Sequence, residues 1–174
     1  SCCKQLFLVE PATSVLMNLK NRFANNNKIE VYSLEEISKI KEQSIDLIVM
    51  HSVIQYMSAD ELEKALKNIK RILSYNGIFI LGDVISPDSS AITDALSLLN
   101  FGKKNGFLLP ALISLIKTFF SNYRRLRKKY GLFKYTDNEI LNLLSNLGFK
   151  TYRRPINIGH NQSRKTYLSQ IYRN

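Results

Sequence analysis

Short apolar runs alternate with helical stripes through the first half of the chain. Leu6 to Val9 is an apolar run closing at Glu10-Pro11, and Val15, Leu16, Leu19 and Phe23 follow at helical spacing, which predicts strand then helix. Asn25-Asn26-Asn27 marks a turn, Ile29 to Tyr32 reads as a second strand, and Ser33 with Glu36 fits a capping box opening a short helix with Ile37 and Ile40. Ile45 to Met50 is apolar apart from Asp46, the pattern of a strand covered on both faces. A linker, His51 to Met57, precedes another capping box at Ser58 and Glu61. Leu62, Leu66, Ile69 and Leu73 then form one helical stripe, with Asn76-Gly77 as its stop and Ile78 to Leu81 as the next strand.

The pattern changes after Asp83. Residues 88 to 130 carry no strand signal and predict two or three helices, so about 86–134 reads as a helical insertion. Thr136 and Glu139 open a further helix, with Ile140, Leu143, Leu144 and Leu147 behind them and Gly148 at the end. Phe149 to Ile158 and Thr166 to Tyr172 are β-rich and separated by Gly159-His160-Asn161-Gln162. That leaves no room for a crossover helix, so the two runs must pair antiparallel. Three strand-helix units followed by this pair predict an α/β fold. The expected architecture is a Rossmann-like doubly wound sheet, mostly parallel, with a terminal antiparallel strand.

Length and composition fit one domain spanning 1–174: 174 residues, 45% hydrophobic and 22% charged. The longest apolar stretch, Phe107 to Phe120, contains Pro110 and Lys117 and is too short for the roughly 20 residues of a spanning helix. No leader pattern opens the chain. Adjacent Cys2 and Cys3 suit neither a disulfide framework nor a zinc site, so no metal site is expected and the thiols point to a reducing, cytoplasmic setting. Charge is uneven. Residues 1–94 hold ten Lys or Arg against twelve Asp or Glu, whereas from residue 95 onward fifteen basic residues face only Asp137 and Glu139. Such asymmetry suggests an anionic partner, balanced against a plain solvated surface.

Glu10 closes a strand, where a carboxylate in a nucleotide-binding α/β domain accepts hydrogen bonds from ribose hydroxyls. Taken together, LFLVEPATSV, IEVYSLEEI and the long stretch from SIDLIVMHSVIQYM to RILSYNGIFILGDVI resemble the second through fifth strands of a class I S-adenosylmethionine-dependent methyltransferase. TDNEILNLLSNLGF is similar to the last helix of that family and the turn into its sixth strand, and the terminal antiparallel pair to its reversed seventh strand. The likeness covers residues 4–84 and 135–174; the helical insertion is unmatched. All seven glycines lie at Gly77 or later, so the glycine-rich loop that precedes the family's acid-ending strand has no counterpart here. The chain is accordingly expected to be either N-terminally shortened, the favoured reading, or a degenerate relative of the family.

The resemblance implies S-adenosyl-L-methionine as cosubstrate, with Glu10 on its ribose and Pro11 and Ala12 bordering its adenine. Ser33 and Leu34 would flank the adenine, Ser33 replacing the usual acid. His51, Ser52 and Val53 would lie beside the sulfonium. His51 and Tyr56 are the catalytic candidates, His51 as a base for a hydroxyl or amine and Tyr56 against the substrate or methyl group, with Gln55 a further substrate contact. The implied enzyme is a methyltransferase acting on a small-molecule acceptor, a negatively charged one among the options. The insertion would be a lid whose Phe101, Phe107, Phe119, Phe120 and Tyr123 form an apolar pocket or pack as core; His160 is expected to be merely exposed. A noncatalytic methyltransferase-like binding module stays open. So do nucleic-acid binding through Arg124 to Lys129 beside Tyr123 and Tyr130, and an interfacial helix over Phe107 to Lys129. A nicotinamide-dependent dehydrogenase would explain Glu10 but not the terminal pair or the HSVIQYM loop.

Overall fold

The computed structural model describes residues 3–119 and 132–171. The basic cluster Arg124 to Lys129, with Phe120, Tyr123, Tyr130 and Cys2, lies outside the described residues. The chain divides into two compact units, Ser1–Ser44 and Ile45–Asn174.

In the first unit, β1 (Leu6–Val9) and β2 (Ile29–Tyr32) pair in parallel from Leu6↔Ile29 to Val9↔Tyr32, joined by α1 (Thr13–Phe23). The expected asparagine turn forms after α1, with Asn26 Oδ1 accepting from the Lys28 amide at 3.1 Å. Ser33 and Glu36 bond reciprocally: the Ser33 amide donates to Glu36 Oε2 at 3.1 Å and the Glu36 amide to Ser33 Oγ at 3.3 Å. The segment that follows is a short 3-10 helix, Glu35–Lys39. The Lys39 ammonium, the Ser33 amide and the Lys20 ammonium hold the Glu36 carboxyl down to about 2.

The second unit is built on a four-stranded sheet in the order β3 (Ile45–His51), β4 (Leu73–Val84), β6 (Lys165–Ile171), β5 (Phe149–Arg154). β3 and β4 are parallel; β6 runs antiparallel to both β4 and β5, the expected reversed strand. α2 (Ala59–Ile72) follows β3, and α5 (Asp137–Asn146) precedes β5. Each helix starts where its sequence says, on a complete capping box: Ser58 with Glu61, Thr136 with Glu139. Leu62, Leu66 and Ile69 of α2 and Ile140 and Leu144 of α5 bury the core with Phe79, Leu81 and Tyr167 of the sheet. Between α5 and β5, Gly148 adopts a φ of 81°, the left-handed conformation that closes a helix and that glycine reaches without a Cβ penalty.

Two local expectations are corrected. The α2 stripe does not run through Leu73 to a stop at Asn76-Gly77. The helix ends at Ile72, and Leu73 opens β4 opposite Ile45, fully buried. The ladder then bulges between Ile45↔Leu73 and Leu47↔Ile78. Gly77 serves close packing there: a Cβ would stand 2.7 Å from Leu73 Cδ1 and 3.0 Å from the Ile45 carbonyl oxygen. The second correction concerns β3, which among the described residues is not covered on both faces. Ile48 and Met50 pack against the core, while Leu47 and Val49 on the other face are 56% and 52% exposed.

The insertion begins with α3 (Ala91–Lys104), on a capping box from Ser90 to Thr93, and α4 (Leu108–Phe119). No helix among the described residues is long and apolar enough to cross a membrane. At the start of α5, Asp137 ties the helix to the sheet, accepting from Arg153 Nη1 at 2.9 Å, Lys165 Nζ at 3.2 Å and the Tyr167 hydroxyl. Burial alone would raise the Asp137 carboxyl. The Tyr167 and Lys165 donors and the Arg153 charge outweigh it, and the carboxyl sits below its ordinary value. Burial and the Asp137 bond push the Tyr167 phenol up.

Leu66→Ala, at a fully buried site, is expected to destabilise the protein by about 2–5 kcal/mol, and removing the exposed Glu63–Lys67 pair by less than about 0.5 kcal/mol, both read by denaturant unfolding. The Asp137–Tyr167 pair sets opposite pH limbs. The depressed Asp137 adds stability that is lost as pH falls through its folded pKa, below 3.8; the raised Tyr167 adds stability that is lost as pH climbs above 10.0. Tyr167→Phe is therefore predicted to remove this phenol's part of the alkaline limb and to move the acid midpoint upward, checked by urea unfolding across pH.

Candidate active site

Parallel strands bring their carboxyl ends to one edge, where open α/β sheets place ligands. In the second unit that edge carries His51, the last residue of β3 and paired with Gly82 of β4, followed by Ser52, whose amide donates to the Gly82 carbonyl at 3.2 Å. Ser52 and Asp83 both hold left-handed backbone, with φ of 56° and 62°. Non-glycine residues pay for that conformation, and it persists only where the surroundings hold it. A buried amide does so at each position. Gln55 Nε2 donates to the Ser52 carbonyl at 2.8 Å. Asn157 Oδ1 accepts from the Asp83 amide at 3.3 Å, while its Nδ2 lies 3.4 Å from Asp83 Oδ1.

The side chains so oriented meet. Ser52 Oγ donates to Asp83 Oδ2 at 2.6 Å and lies 2.9 Å from His51 Nδ1. The imidazole rests against two glycines: a Cβ on Gly82 would stand 2.9 Å from His51 Cδ2, and one on Gly159 3.0 Å from His51 Nε2. Side chains at either position would push the ring aside. His51 itself is exposed, Ser52 and Asp83 half-buried.

Behind this group a polar scaffold fixes residues 155–164 against α3 and β6. Asn157, 5% exposed, donates to the Asn161 carbonyl at 2.9 Å and accepts from Thr166 Oγ1 at 2.5 Å. Asn161 Nδ2 donates to Asp94 of α3 at 2.7 Å, and the Arg164 guanidinium grips the same carboxylate through Nε at 3.2 Å and Nη2 at 2.5 Å. The insertion is thereby anchored beside the strand ends. Phe101 meets Phe107 edge-on with centroids 5.6 Å apart and, at the same distance, the His160 ring. His160 is exposed as expected but is also an aromatic neighbour of the insertion. Of the other aromatics expected there, the Phe119 side chain, Phe120 and Tyr123 lie outside the described residues.

The remaining sequence candidates are placed as follows. Val53 leads into a 3-10 turn, Ile54–Tyr56, on which Tyr56 is 57% exposed. Gln55, expected to face substrate, is 6% exposed; its Oε1 has no hydrogen-bond partner among the described residues and its Nε2 serves the Ser52 carbonyl. In the first unit, Glu10 follows β1, its amide still on the Tyr32 carbonyl at 3.0 Å, so Glu10 and Pro11 share a strand-end edge with Ser33 and Leu34. Glu10 Oε1 accepts from the Ala12 amide at 2.8 Å, which pins one carboxylate oxygen. A shallow polar depression of about 260 Å³ in the second unit, lined by residues including Ser86, Thr93, Arg153 and Lys165, takes in none of these candidates. Sequence reasoning passed over Asp83, Asn157, Asn161, Asp94 and Arg164. Asp83 carried a legible signal, an acid closing an apolar strand, the same rule that singles out Glu10.

Among the described residues no cluster of His, Cys, Asp or Glu suits a metal ion. A pinned carboxylate at a strand end fits a vicinal diol, and a glycine-walled histidine at another fits a proton transfer, so the residue types suit an adenosyl cosubstrate. Asn157→Ala is expected to leave buried partners unpaired, to cost about 2 kcal/mol in denaturant unfolding, and to speed amide exchange at Asp83.

Residues 1–81 match the family described as Methyltransferase domain. No curated protein matches the chain. Solved structures do. The CurJ carbon methyltransferase superposes with a TM-score of 0.58 at 13% identity, over 97% of this chain and 42% of its own. PKMT2 from Rickettsia typhi gives 0.60 at 15%, over 96% and 44%; PigF with SAH gives 0.56 at 16%, over 95% and 43%. The chain spans less than half the length of each of these three. It thus has the fold of the class I S-adenosylmethionine-dependent methyltransferases, and its first 81 residues match the family described as Methyltransferase domain.

Proposed function

We propose that the chain serves S-adenosylmethionine-dependent methyl transfer to a small-molecule acceptor. The observation that carries this reading is the placement of His51 and Ser52 at the carboxyl edge of a sheet with the methyltransferase fold. S-adenosylmethionine, when bound, supplies an activated methyl group on a cationic sulfur, so the protein's contribution is orientation, exclusion of water and, for a hydroxyl or amine acceptor, a base.

The first unit supplies nucleoside recognition. Glu10 takes the ribose hydroxyls: its Oε1 is steadied by the Ala12 amide, and the carboxylate is acceptor-only when ionised. Pro11, Ser33 and Leu34, at the same strand ends, border the adenine. In the second unit, Ser52 and Val53 are the proposed contacts to the methionine portion. His51 accepts the proton of the acceptor, and Tyr56, exposed on its turn, covers the acceptor. The anionic character of the acceptor rests on the basic excess from residue 95 onward.

Calorimetry with S-adenosylhomocysteine tests the reading. Binding in the micromolar range is expected, and Glu10→Gln, which keeps an oxygen for the Ala12 amide, is predicted to weaken it about tenfold. His51→Ala is expected to weaken that affinity less than Glu10→Gln does while lowering turnover on a hydroxyl or amine acceptor about 100-fold. Absence of heat at high micromolar ligand would leave a fold without the activity.

A further inference from the structure

His51, Ser52 and Asp83 form a continuous hydrogen-bonded row whose proton positions follow from its geometry. A serine hydroxyl has one proton to give. Ser52 Oγ stands 2.6 Å from Asp83 Oδ2 and 2.9 Å from His51 Nδ1. Were that proton turned toward the imidazole, two oxygen acceptors would face each other at 2.6 Å with nothing between them. The proton therefore lies on the carboxylate side, and the remaining contact is satisfied only if His51 Nδ1 carries a hydrogen and donates it to Ser52 Oγ. That leaves Nε2 with its lone pair.

We infer that Ser52 and Asp83 are positioning residues that hold His51 in the Nδ1-protonated tautomer, with Nε2 as the proton acceptor. The catalytic use of this ordering rests on the methyl-transfer reading; the tautomer does not. The backbone is bent to make the row. Both Ser52 and Asp83 occupy left-handed conformations, each restrained by a buried amide, Gln55 or Asn157. Gly82 and Gly159 leave the space that the ring fills. In the proton-transfer step the acceptor's O–H or N–H bond breaks, its electron pair stays on the acceptor atom, and the proton bonds to Nε2. The imidazolium so formed keeps its Nδ1–H on Ser52, whose hydroxyl remains on the Asp83 carboxylate, so the new positive charge is met by a fixed negative one through a single bridging oxygen.

The test is long-range proton–nitrogen NMR of the imidazole nitrogens in the nitrogen-15-labelled chain, at a pH where the rings are neutral. The chain has 2 histidines, so His160→Gln assigns the signals. The expected result is a protonated Nδ1 and an unprotonated, pyridine-type Nε2 at His51, with Asp83→Asn and Ser52→Gly each shifting the ring toward the Nε2–H form. Ser52→Gly is the variant least able to fail by misfolding, since glycine accepts the 56° φ without strain. A wild-type His51 already in the Nε2–H form, or a tautomer untouched by both substitutions, overturns the inference even if methyl transfer is observed. With the tautomer as expected, Asp83→Asn should lower kcat about tenfold or more and leave the KM for the methyl donor unchanged; an unchanged kcat overturns the catalytic role. If the tautomer is found and no S-adenosylhomocysteine binds, the functional reading fails while the proton ordering stands.

Discussion

The register between β3 and β4 is the constraint on which the second unit depends. Pairing Met50 with Leu81 and His51 with Gly82 sends Ile48, Met50, Phe79 and Leu81 to the core face under α2 and α5. The same pairing brings the residues after His51 alongside Asp83. A slip of β3 by one residue would send Leu47 and Val49 inward, turn Ile48 and Met50 out and part Ser52 from Asp83. Burial of the core therefore pins the polar row at the edge, although none of its three side chains is fully buried.

The edge itself is held by groups distant in sequence. Asn157 follows β5 and Asp94 belongs to the insertion, yet Asn157, Asn161, Arg164 and Asp94 form one connected polar scaffold behind Asp83. Buried polar groups of this kind are favourable when satisfied and costly when broken. The strain at Ser52 and Asp83 is maintained because the scaffold and Gln55 give their backbone groups no better partners. The insertion is in this way part of the apparatus that orients the strand ends.

Much of the fold was legible in the chain because its signals are local. Capping boxes at Ser58 and Thr136 depend on a hydroxyl and a carboxylate three residues apart, and both helices begin there. The hairpin-like ending followed from the short connection between two β-rich runs, and its antiparallel pairing is what the sheet shows. Leu73 was misplaced because its spacing continues the α2 stripe, whereas burial against Ile45 made it the first residue of β4. Leu47 and Val49 misled in another way: an apolar run predicts a strand, but the run itself does not say whether both faces are covered.

Of the candidate site, residue types and strand ends could be read directly: an acid after β1, a histidine closing β3 with a serine after it, an aspartate near the end of β4. Alternating hydrophobicity and turn residues determined these by themselves, since they act between neighbours a few positions apart. Tertiary structure alone decided that Ser52 would bridge His51 to Asp83, and that Asn157 would hold Asp83 in left-handed backbone. Those contacts join residues 31 and 74 positions apart, and no short-range pattern carries the orientation of one side chain relative to another across that distance; packing and strand register set it.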